Sequence, residues 1–297
     1  MKMIRAMSGR VNPLWPFLFV LTGGLLWWLF AMPSVPERTV STSEDAIERG
    51  AYLVRAGGCI SCHEGTESGG LSGGMALESD FGTFYASNIT PDPETGVGGW
   101  TGQDFIRALK HGRAPTGSFY YPAFPYRSYA GISDDEVLDI AAWIMAQEPV
   151  RQETPDPDIP FWLMRWQLAG WNLMADWMEG EYREVPDDDP QLARGAHLAR
   201  YLGHCGECHT PRNGLGISRL NREFAGGQLE GRSVAAMDAE ALSGWDEDAF
   251  ALFLFLGLKP DGEFVGGKMD PVIEHNTSQL SEEDREALAA FFIRGQR

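Results

Sequence analysis

Residues 59–63 read Cys59-Ile60-Ser61-Cys62-His63, and residues 205–209 read Cys205-Gly206-Glu207-Cys208-His209. These two pentapeptides hold all four cysteines of the 297-residue chain, far too few for a fold of this length held together by disulfides. In each, two residues separate the cysteines and a histidine follows at once. This arrangement, present twice, decides how the rest of the sequence is interpreted.

Cys-x-x-Cys-His is the attachment signature of c-type haem. Two thiols three positions apart on a helical turn can form thioether bonds to the two vinyl groups of one porphyrin, and the adjacent imidazole can then bind the iron. We therefore predict two covalently bound haem c groups. The first is held by Cys59, Cys62 and His63, and the second by Cys205, Cys208 and His209.

Two other uses of paired cysteines are possible. Four thiolates drawn from both pairs could bind zinc, or each pair could form a redox-active disulfide. Neither alternative requires a histidine at the same place in both motifs. The repetition of the whole pentapeptide therefore favours haem.

The motifs belong to a longer repeat. Arg49-Gly50-Ala51-Tyr52-Leu53 precedes the first motif and Arg194-Gly195-Ala196-His197-Leu198 precedes the second, each within a predicted amphipathic helix. Further along, Gly99-Trp100 corresponds to Gly244-Trp245. The repeat indicates one domain that has been duplicated.

Helix signals follow the matched Gly-Trp pairs in the same order in both copies. One predicted helix in each copy ends at a glycine; the helices cover 105–111 and 248–256, and the glycines are Gly112 and Gly257. A capping-box pattern then begins the last helix of each copy, as Ser133-x-x-Glu136 and Ser281-x-x-Asp284.

These signals predict an all-α fold with two tandem domains, over residues 44–148 and 190–297. Between them, residues 149–189 form a linker that contains the aromatic segment 161–178. Arg165 interrupts this segment, so it has no uncharged run long enough to span a membrane. We expect a helix packed over the domain junction; a face that docks a partner or a membrane surface is the alternative.

Residues 1–35 have the pattern of a membrane anchor. Three basic residues, Lys2, Arg5 and Arg10, precede an uncharged run over 14–32 that would extend about 28 Å as a helix, close to the ~30 Å hydrocarbon core. We predict a cytoplasmic tip and one transmembrane helix in contact with lipid, with the rest of the chain on the far side. A cleaved secretory signal is the alternative, although Phe30-Ala31-Met32-Pro33 is a poor cleavage site.

The charge of the chain narrows the choice of partners. It has 24 basic and 42 acidic residues, a formal charge of −18. A surface of this charge repels a phosphate backbone, so we predict no nucleic-acid binding. The acidic surface could steer a basic redox partner or only increase solubility.

The repeat also predicts where the sixth ligand of each haem lies. A low-spin haem that carries electrons normally has such a ligand, and methionine sulfur raises the reduction potential. Aligning Gly112 with Gly257 places Phe124 opposite Met269. Met269 is therefore the predicted sixth ligand of the second haem.

Phenylalanine cannot bind iron, so the first haem needs another ligand or has an open site. The candidates are Met75, His111, Met145 and Met164. We favour Met75 because it follows the first motif most closely. The two haems are therefore expected to differ in reduction potential.

Beyond the cysteine motifs, further short stretches resemble one family. They are Phe81-Gly82-Thr83, Asn88-Ile89-Thr90-Pro91, 95–100 (Thr-Gly-Val-Gly-Gly-Trp), 121–126 (Tyr-Pro-Ala-Phe-Pro-Tyr) and 205–213. With these residues the chain resembles the di-haem cytochrome c subunits that accompany membrane-bound alcohol and related dehydrogenases of Gram-negative bacteria. The resemblance covers nearly everything after residue 44.

The resemblance implies class I cytochrome c folds, exposure to the periplasm from a bacterial inner membrane, and transfer of electrons from a dehydrogenase toward quinone or an oxidase. Three features differ from that family. Many relatives carry methionine where this chain has Phe124, many have three haems, and many are anchored at the C-terminus.

We therefore expect a cytochrome that relays electrons from a dehydrogenase or quinol-side donor to a respiratory acceptor, with a dehydrogenase, an oxidase or a small cytochrome as redox partner. Haem supplies the redox chemistry, and the sequence shows no constellation of catalytic acid, base or nucleophile. Two other functions are weighed against it. One is a di-haem peroxidase with an open first haem. The other is a fixed di-haem subunit of a larger respiratory complex, such as a haem-copper oxidase.

Overall fold

The described part of the chain is mostly helical, with two short antiparallel hairpins. The computed structural model describes residues 14–65, 68–186 and 188–296. The chain separates into two compact units, Met1–Pro33 and Ser34–Arg297.

The first unit contains helix α1, Leu14–Phe30, which has 17 residues. The helix ends two residues before the end of the uncharged run on which the predicted anchor was based. In the described part of the chain, no helix combines the length and the apolar character needed to cross a membrane. The transmembrane helix predicted within residues 1–35 is therefore not found, and Lys2, Arg5 and Arg10 lie outside the described residues.

The second unit begins with the elements of the first copy. They are α2 (Glu44–Ala56), α3 (Cys59–His63), β1 (Ala76–Ser79), β2 (Gly82–Tyr85), α4 (Gly102–His111), α5 (Tyr126–Tyr129) and α6 (Asp134–Met145). A connecting helix, α7 (Leu168–Met178), follows. The elements of the second copy are α8 (Pro190–His197), α9 (Gly206–His209), β3 (Gly227–Leu229), β4 (Arg232–Val234), α10 (Glu247–Leu256), α11 (Asp270–His275) and α12 (Glu282–Ile293).

Helices begin and end where the sequence signals place them. The Ser133 side chain accepts from the backbone N–H of Glu136 and the Glu136 carboxylate caps in return, which confirms the predicted capping box of α6. Ser281 caps α12 by accepting the N–H of Asp284, but the Asp284 carboxylate bonds to Tyr52 and Arg194, so the predicted box is only half formed. Helices α4 and α10 end at left-handed glycines, Gly112 (φ 60°) and Gly257 (φ 71°), as predicted.

Two hairpins correct the expectation of an all-α fold. Strand β1 pairs with β2, with Ala76 opposite Tyr85, and β3 pairs with β4, with Gly227 opposite Val234. Strands of three or four residues are too short to give a periodic pattern in the sequence. The correct description is a mostly helical fold with one hairpin in each copy.

A glycine allows the first and last helices of each copy to pack closely. A Cβ atom on Gly50 of α2 would lie 1.9 Å from the carbonyl oxygen of Asp139 in α6. One on Gly195 of α8 would lie 2.0 Å from the carbonyl oxygen of Ala287 in α12. The leader glycine of the repeat therefore has the same packing role in both copies.

One hydrophobic core runs through both copies of the second unit. It includes Val54 and Ile140 from the first copy and Phe224, Phe250 and Phe291 from the second. Residues 34–297 accordingly form one compact unit. The division into domains over 44–148 and 190–297, with a linker over 149–189, stays a prediction.

The aromatic segment lies across the two copies. Its helix α7 follows a 3-10 turn, Arg165–Gln167. The hydroxyl of Tyr126 donates to Asn172 Oδ1 at 2.7 Å, and Trp171 Nε1 donates to the carbonyl oxygen of Leu215 at 2.9 Å. The segment also exposes large aromatic side chains, namely Phe161, Trp162, Trp166 and Trp177.

Candidate haem-binding sites

The first motif lies on a short helix directly after α2. Gly57 ends α2, and Gly58 adopts a left-handed conformation (φ 67°) that leads into α3. Nδ1 of His63 lies 2.7 Å from the carbonyl oxygen of Ser87. Because a carbonyl oxygen only accepts, Nδ1 carries the proton and Nε2 keeps the lone pair that can bind iron.

The second motif is arranged in the same way. Helix α8 continues through a π-helical turn, Leu198–Leu202, and Cys205 lies at the start of α9. Nδ1 of His209 donates to the carbonyl oxygen of Ala235 at 2.8 Å. Burial lowers the pKa of both motif histidines, which favours the neutral imidazole that a metal requires.

The two carbonyl acceptors follow the hairpins. Ser87 lies two residues after β2, and Ala235 directly follows β4. Strand β3 approaches the second motif closely, because a Cβ atom on Gly227 would lie 2.2 Å from the carbonyl oxygen of Cys208. These acceptors were missed from the sequence because a backbone carbonyl has no residue-specific signal.

Asn88 and Thr90, from the Asn-Ile-Thr-Pro stretch, hold the segment that carries the first acceptor. Asn88 is 3% exposed, and its Nδ2 donates to the carbonyl oxygen of Val150 at 2.7 Å and to Thr95 Oγ1 at 3.1 Å. Its Oδ1 accepts from the backbone N–H of Thr90 at 2.9 Å. The stretch therefore fixes the loop next to His63. Its presence in the sequence could have been used to predict that this loop lies beside the first motif.

None of the four cysteines forms a disulfide. Burial, with a smaller contribution from Cys62, raises the pKa of Cys59 to about 12, and burial raises that of Cys205 to about 12. The shift applies to the thiols before haem attachment, because a thioether sulfur carries no proton. Within residues 14–65, 68–186 and 188–296, no group of three or more His, Cys, Asp and Glu side chains is placed to hold a metal ion. The donor set fits covalent haem better than zinc.

Met269 lies in the loop that follows α10. A β-bridge pairs Leu258 with Phe264, after which the chain forms a 3-10 turn, Gly267–Met269. The half-buried side chain of Met269 packs against the hydrophobic core.

The first copy has the same loop with a different residue in it. A β-bridge pairs Arg113 with Phe119, and the half-buried side chain of Phe124 packs against the core. The Phe124 ring lies 5.6 Å from the ring of Tyr120 and 5.8 Å from that of Tyr129, between centroids. The matching bridges agree with the alignment of Phe124 with Met269.

The four candidate sixth ligands of the first haem lie in different places. The backbone of Met75 bonds to Ala86, next to the carbonyl that orients His63. His111 is exposed at the end of α4, and Met145 packs against the core at the end of α6. Met164 precedes the 3-10 turn of the aromatic segment and is 48% exposed.

The structure brings the two motif-bearing segments together. The hydroxyl of Ser128 donates to Oε1 of Glu207, inside the second motif, at 2.6 Å. Nδ2 of Asn276, from the second copy, donates to the carbonyl oxygen of Ala56, just before the first motif, at 3.1 Å. Attached haems would therefore lie on adjoining segments.

No protein-family model matches the chain. A protein of Cereibacter sphaeroides described as "Diheme cytochrome c-type" is 41% identical over 280 residues, which cover 91% of this chain and 92% of the relative. The chain belongs to the di-haem c-type cytochromes. This cytochrome therefore carries two covalently bound haem c groups, as the two motifs predict.

Two further relatives are named as cytochrome c subunits of dehydrogenases. This cytochrome is 38% identical over 258 residues to the gluconate 2-dehydrogenase subunit of Pantoea cypripedii. It is 36% identical over 262 residues to the alcohol dehydrogenase (quinone) subunit of Gluconobacter oxydans. The matches cover 58% and 54% of those relatives, so the chain spans a little over half of their length. They confirm the resemblance to cytochrome subunits of alcohol and related dehydrogenases.

Proposed function

We propose that this cytochrome relays electrons from a dehydrogenase, or another donor on the quinol side, to a respiratory acceptor. The observation that carries the proposal is the contact between the two haem-bearing segments. Gly57, two residues before the first motif, accepts a hydrogen bond from His204, the residue before the second. Electron transfer between haems is fastest at short distance, so adjoining attachment segments suit a relay.

The named relatives support a dehydrogenase as the donor. Matches include cytochrome subunits of gluconate, alcohol and fructose dehydrogenases. The formal charge of −18 gives the chain a surface that could attract a basic patch on a redox partner.

We place the haem-bearing unit in the periplasm, associated with the inner membrane through α1. Exposed apolar side chains on α1 support this, among them Val20, Leu21, Trp27 and Trp28. The test compares the full chain with a variant that begins at Ser34 behind a cleavable secretory signal. We expect the full chain in the membrane fraction and the shortened chain in the soluble periplasm. A full chain that fractionates as a soluble protein would contradict this attachment.

We also propose that Met269 is the sixth ligand of the second haem. Its place in the loop after α10, which corresponds to the loop of Phe124 in the first copy, supports this role. Thioether sulfur stabilises ferrous haem.

The relay is tested by isolating the full-length holoprotein from its native membranes in mild detergent and identifying the proteins that accompany it. A panel of alcohol, gluconate and fructose is then added to the complex, and haem reduction is followed by absorption. We expect a dehydrogenase to co-purify and its substrate to reduce both haems. Membranes from a strain that lacks this chain should oxidise the same substrate much more slowly.

Two outcomes would contradict the proposal and support another function. Stable co-purification of haem-copper oxidase subunits would show a fixed subunit of an oxidase. Rapid turnover of hydrogen peroxide by the isolated holoprotein would show a di-haem peroxidase.

A further inference from the structure

The first copy has no methionine in the loop that carries Met269 in the second. Phe124 fills the equivalent place, and its ring is held between Tyr120 and Tyr129. The first haem therefore has an open sixth position or takes its ligand from another segment.

The start of the aromatic segment forms hydrogen bonds with the loop that contains Phe124. The hydroxyl of Tyr121 donates to the carbonyl oxygen of Leu163 at 2.9 Å. From the other side, Arg165 Nη1 donates to the carbonyl oxygen of Phe119 at 2.8 Å, and its guanidinium lies 4.7 Å from the Tyr121 ring centroid. Residues 163–165 are thus held against the loop that contains Phe124.

Met164 lies between Leu163 and Arg165, the two residues that form these hydrogen bonds. Its backbone N–H donates to Gln167 Oε1 at 2.7 Å, and its Sδ lies 3.3 Å from Trp166 Nε1, which donates to it. A thioether sulfur has two lone pairs, so this bond orients the sulfur and leaves one lone pair for a metal. At 48% exposed, the side chain is not committed to the core.

The other candidates are less well placed. The backbone of Met75 bonds to Ala86, which adjoins the carbonyl that orients His63, so Met75 lies with the proximal elements. Met145 is half-buried at the end of α6 and His111 lies at the exposed end of α4, so neither belongs to the segment that contacts the loop of Phe124.

We infer that Met164 is the sixth ligand of the first haem. The sixth ligand of the first haem then comes from the connecting segment, whereas that of the second haem comes from a loop of its own copy. The inference rests on haem at the first motif and on the proposed ligation by Met269, and it does not depend on the identity of the electron donor.

The test uses the purified full-length holoprotein and variants in which single methionines are replaced by leucine. In the ferrous protein, a methionine bound to haem iron gives a strongly upfield-shifted methyl signal in the proton NMR spectrum. We expect two such signals in the unchanged protein. Met164→Leu should remove one and Met269→Leu the other, whereas Met75→Leu and Met145→Leu should leave both.

Haem content and helical circular dichroism show whether each variant is folded and loaded. Met164→His is a second variant: it should keep the first haem low-spin while the same methyl signal disappears, because imidazole replaces the thioether. Two signals in folded Met164→Leu, or one signal in the unchanged protein that only Met269→Leu removes, would overturn the inference. Because these signals are read without a donor, failure of the relay proposal would leave this test unaffected.

Discussion

Nε2 of His204 lies 3.1 Å from the carbonyl oxygen of Gly57 and donates to it. The same carbonyl accepts the hydroxyl of Tyr129 at 2.7 Å, and the rings of His204 and Tyr129 meet edge to face, 5.3 Å apart. One backbone carbonyl beside the first motif thus accepts hydrogen bonds from side chains of both copies.

Replacing His204 should weaken this junction. His204→Ala removes the bond to Gly57 and the ring contact with Tyr129, so we expect the free energy of unfolding to fall by about 1–3 kcal/mol. Urea unfolding of the holoprotein measures the change. His111→Ala, at an exposed histidine, is the control and should change stability by less than about 0.5 kcal/mol. Equal effects of the two variants would show that the contact does not stabilise the fold.

The helix-crossing glycines give a second prediction. Gly50→Ala and Gly195→Ala would each place a methyl group about 2 Å from a carbonyl oxygen of the facing helix, so the helices must separate. Overpacking of this kind costs about 1–3 kcal/mol or more. Both variants should therefore lower the melting temperature.

Gly170→Ala is the matched control for this pair. Gly170 lies in α7 with nothing within 4 Å of a Cβ atom, so alanine there should be neutral or stabilising by about 0.5–1 kcal/mol. If all three alanine variants lowered the melting temperature equally, close helix packing would not be the cause.

Much of the fold follows from local signals in the sequence. Ser133 and Ser281 begin helices because their hydroxyls accept backbone N–H groups, and Gly112 and Gly257 end helices because glycine tolerates a positive φ. These effects act within one helical turn, so the sequence alone locates them. The cysteine motifs can likewise be recognised from neighbouring residues alone.

Features that depend on distant residues could not be predicted. The partner of His63 is a backbone carbonyl at Ser87, and the bond between His204 and Gly57 joins residues that are far apart in the chain. The hydrogen bonds that hold Leu163 and Arg165 against the loop of Phe124 also join distant residues, and no local pattern encodes them. Ligation of the first haem by Met75 stays a prediction.

The proposed ligation by Met269 predicts a change in one haem only. Met269→Leu should lower the midpoint potential of the second haem by on the order of 0.1 V, because loss of the thioether removes preferential stabilisation of ferrous iron. Spectroelectrochemical titration resolves the two haems. Met237→Leu, a buried core methionine of the same copy, should leave both potentials nearly unchanged. An unchanged titration in the Met269 variant would exclude this residue as the ligand.

Glu136 gives a prediction about acid stability. Its Oε1 lies 2.9 Å from His197 Nε2 in the second copy, and its Oε2 accepts the backbone N–H of Ser133 at 2.8 Å. Burial alone would raise the pKa of Glu136, but the bonds from His197 and Ser133 outweigh burial and lower the pKa to about 2. The carboxylate therefore favours the folded state whenever it is ionised.

The pH dependence follows from the direction of this shift. The folded pKa lies below the ordinary value of 4.5, so the stabilisation is fully present above about pH 4.5 and is lost as the pH falls toward about 2.

Glu136→Gln should lower the free energy of unfolding by about 2 kcal/mol near neutral pH, and by progressively less in acid. Urea unfolding of both proteins between about pH 3 and pH 7 measures the difference. Glu283→Gln, at an exposed acid in the first turn of α12, should show little change at any pH. A constant difference across that range would mean that the ionised carboxylate is not what stabilises the contact.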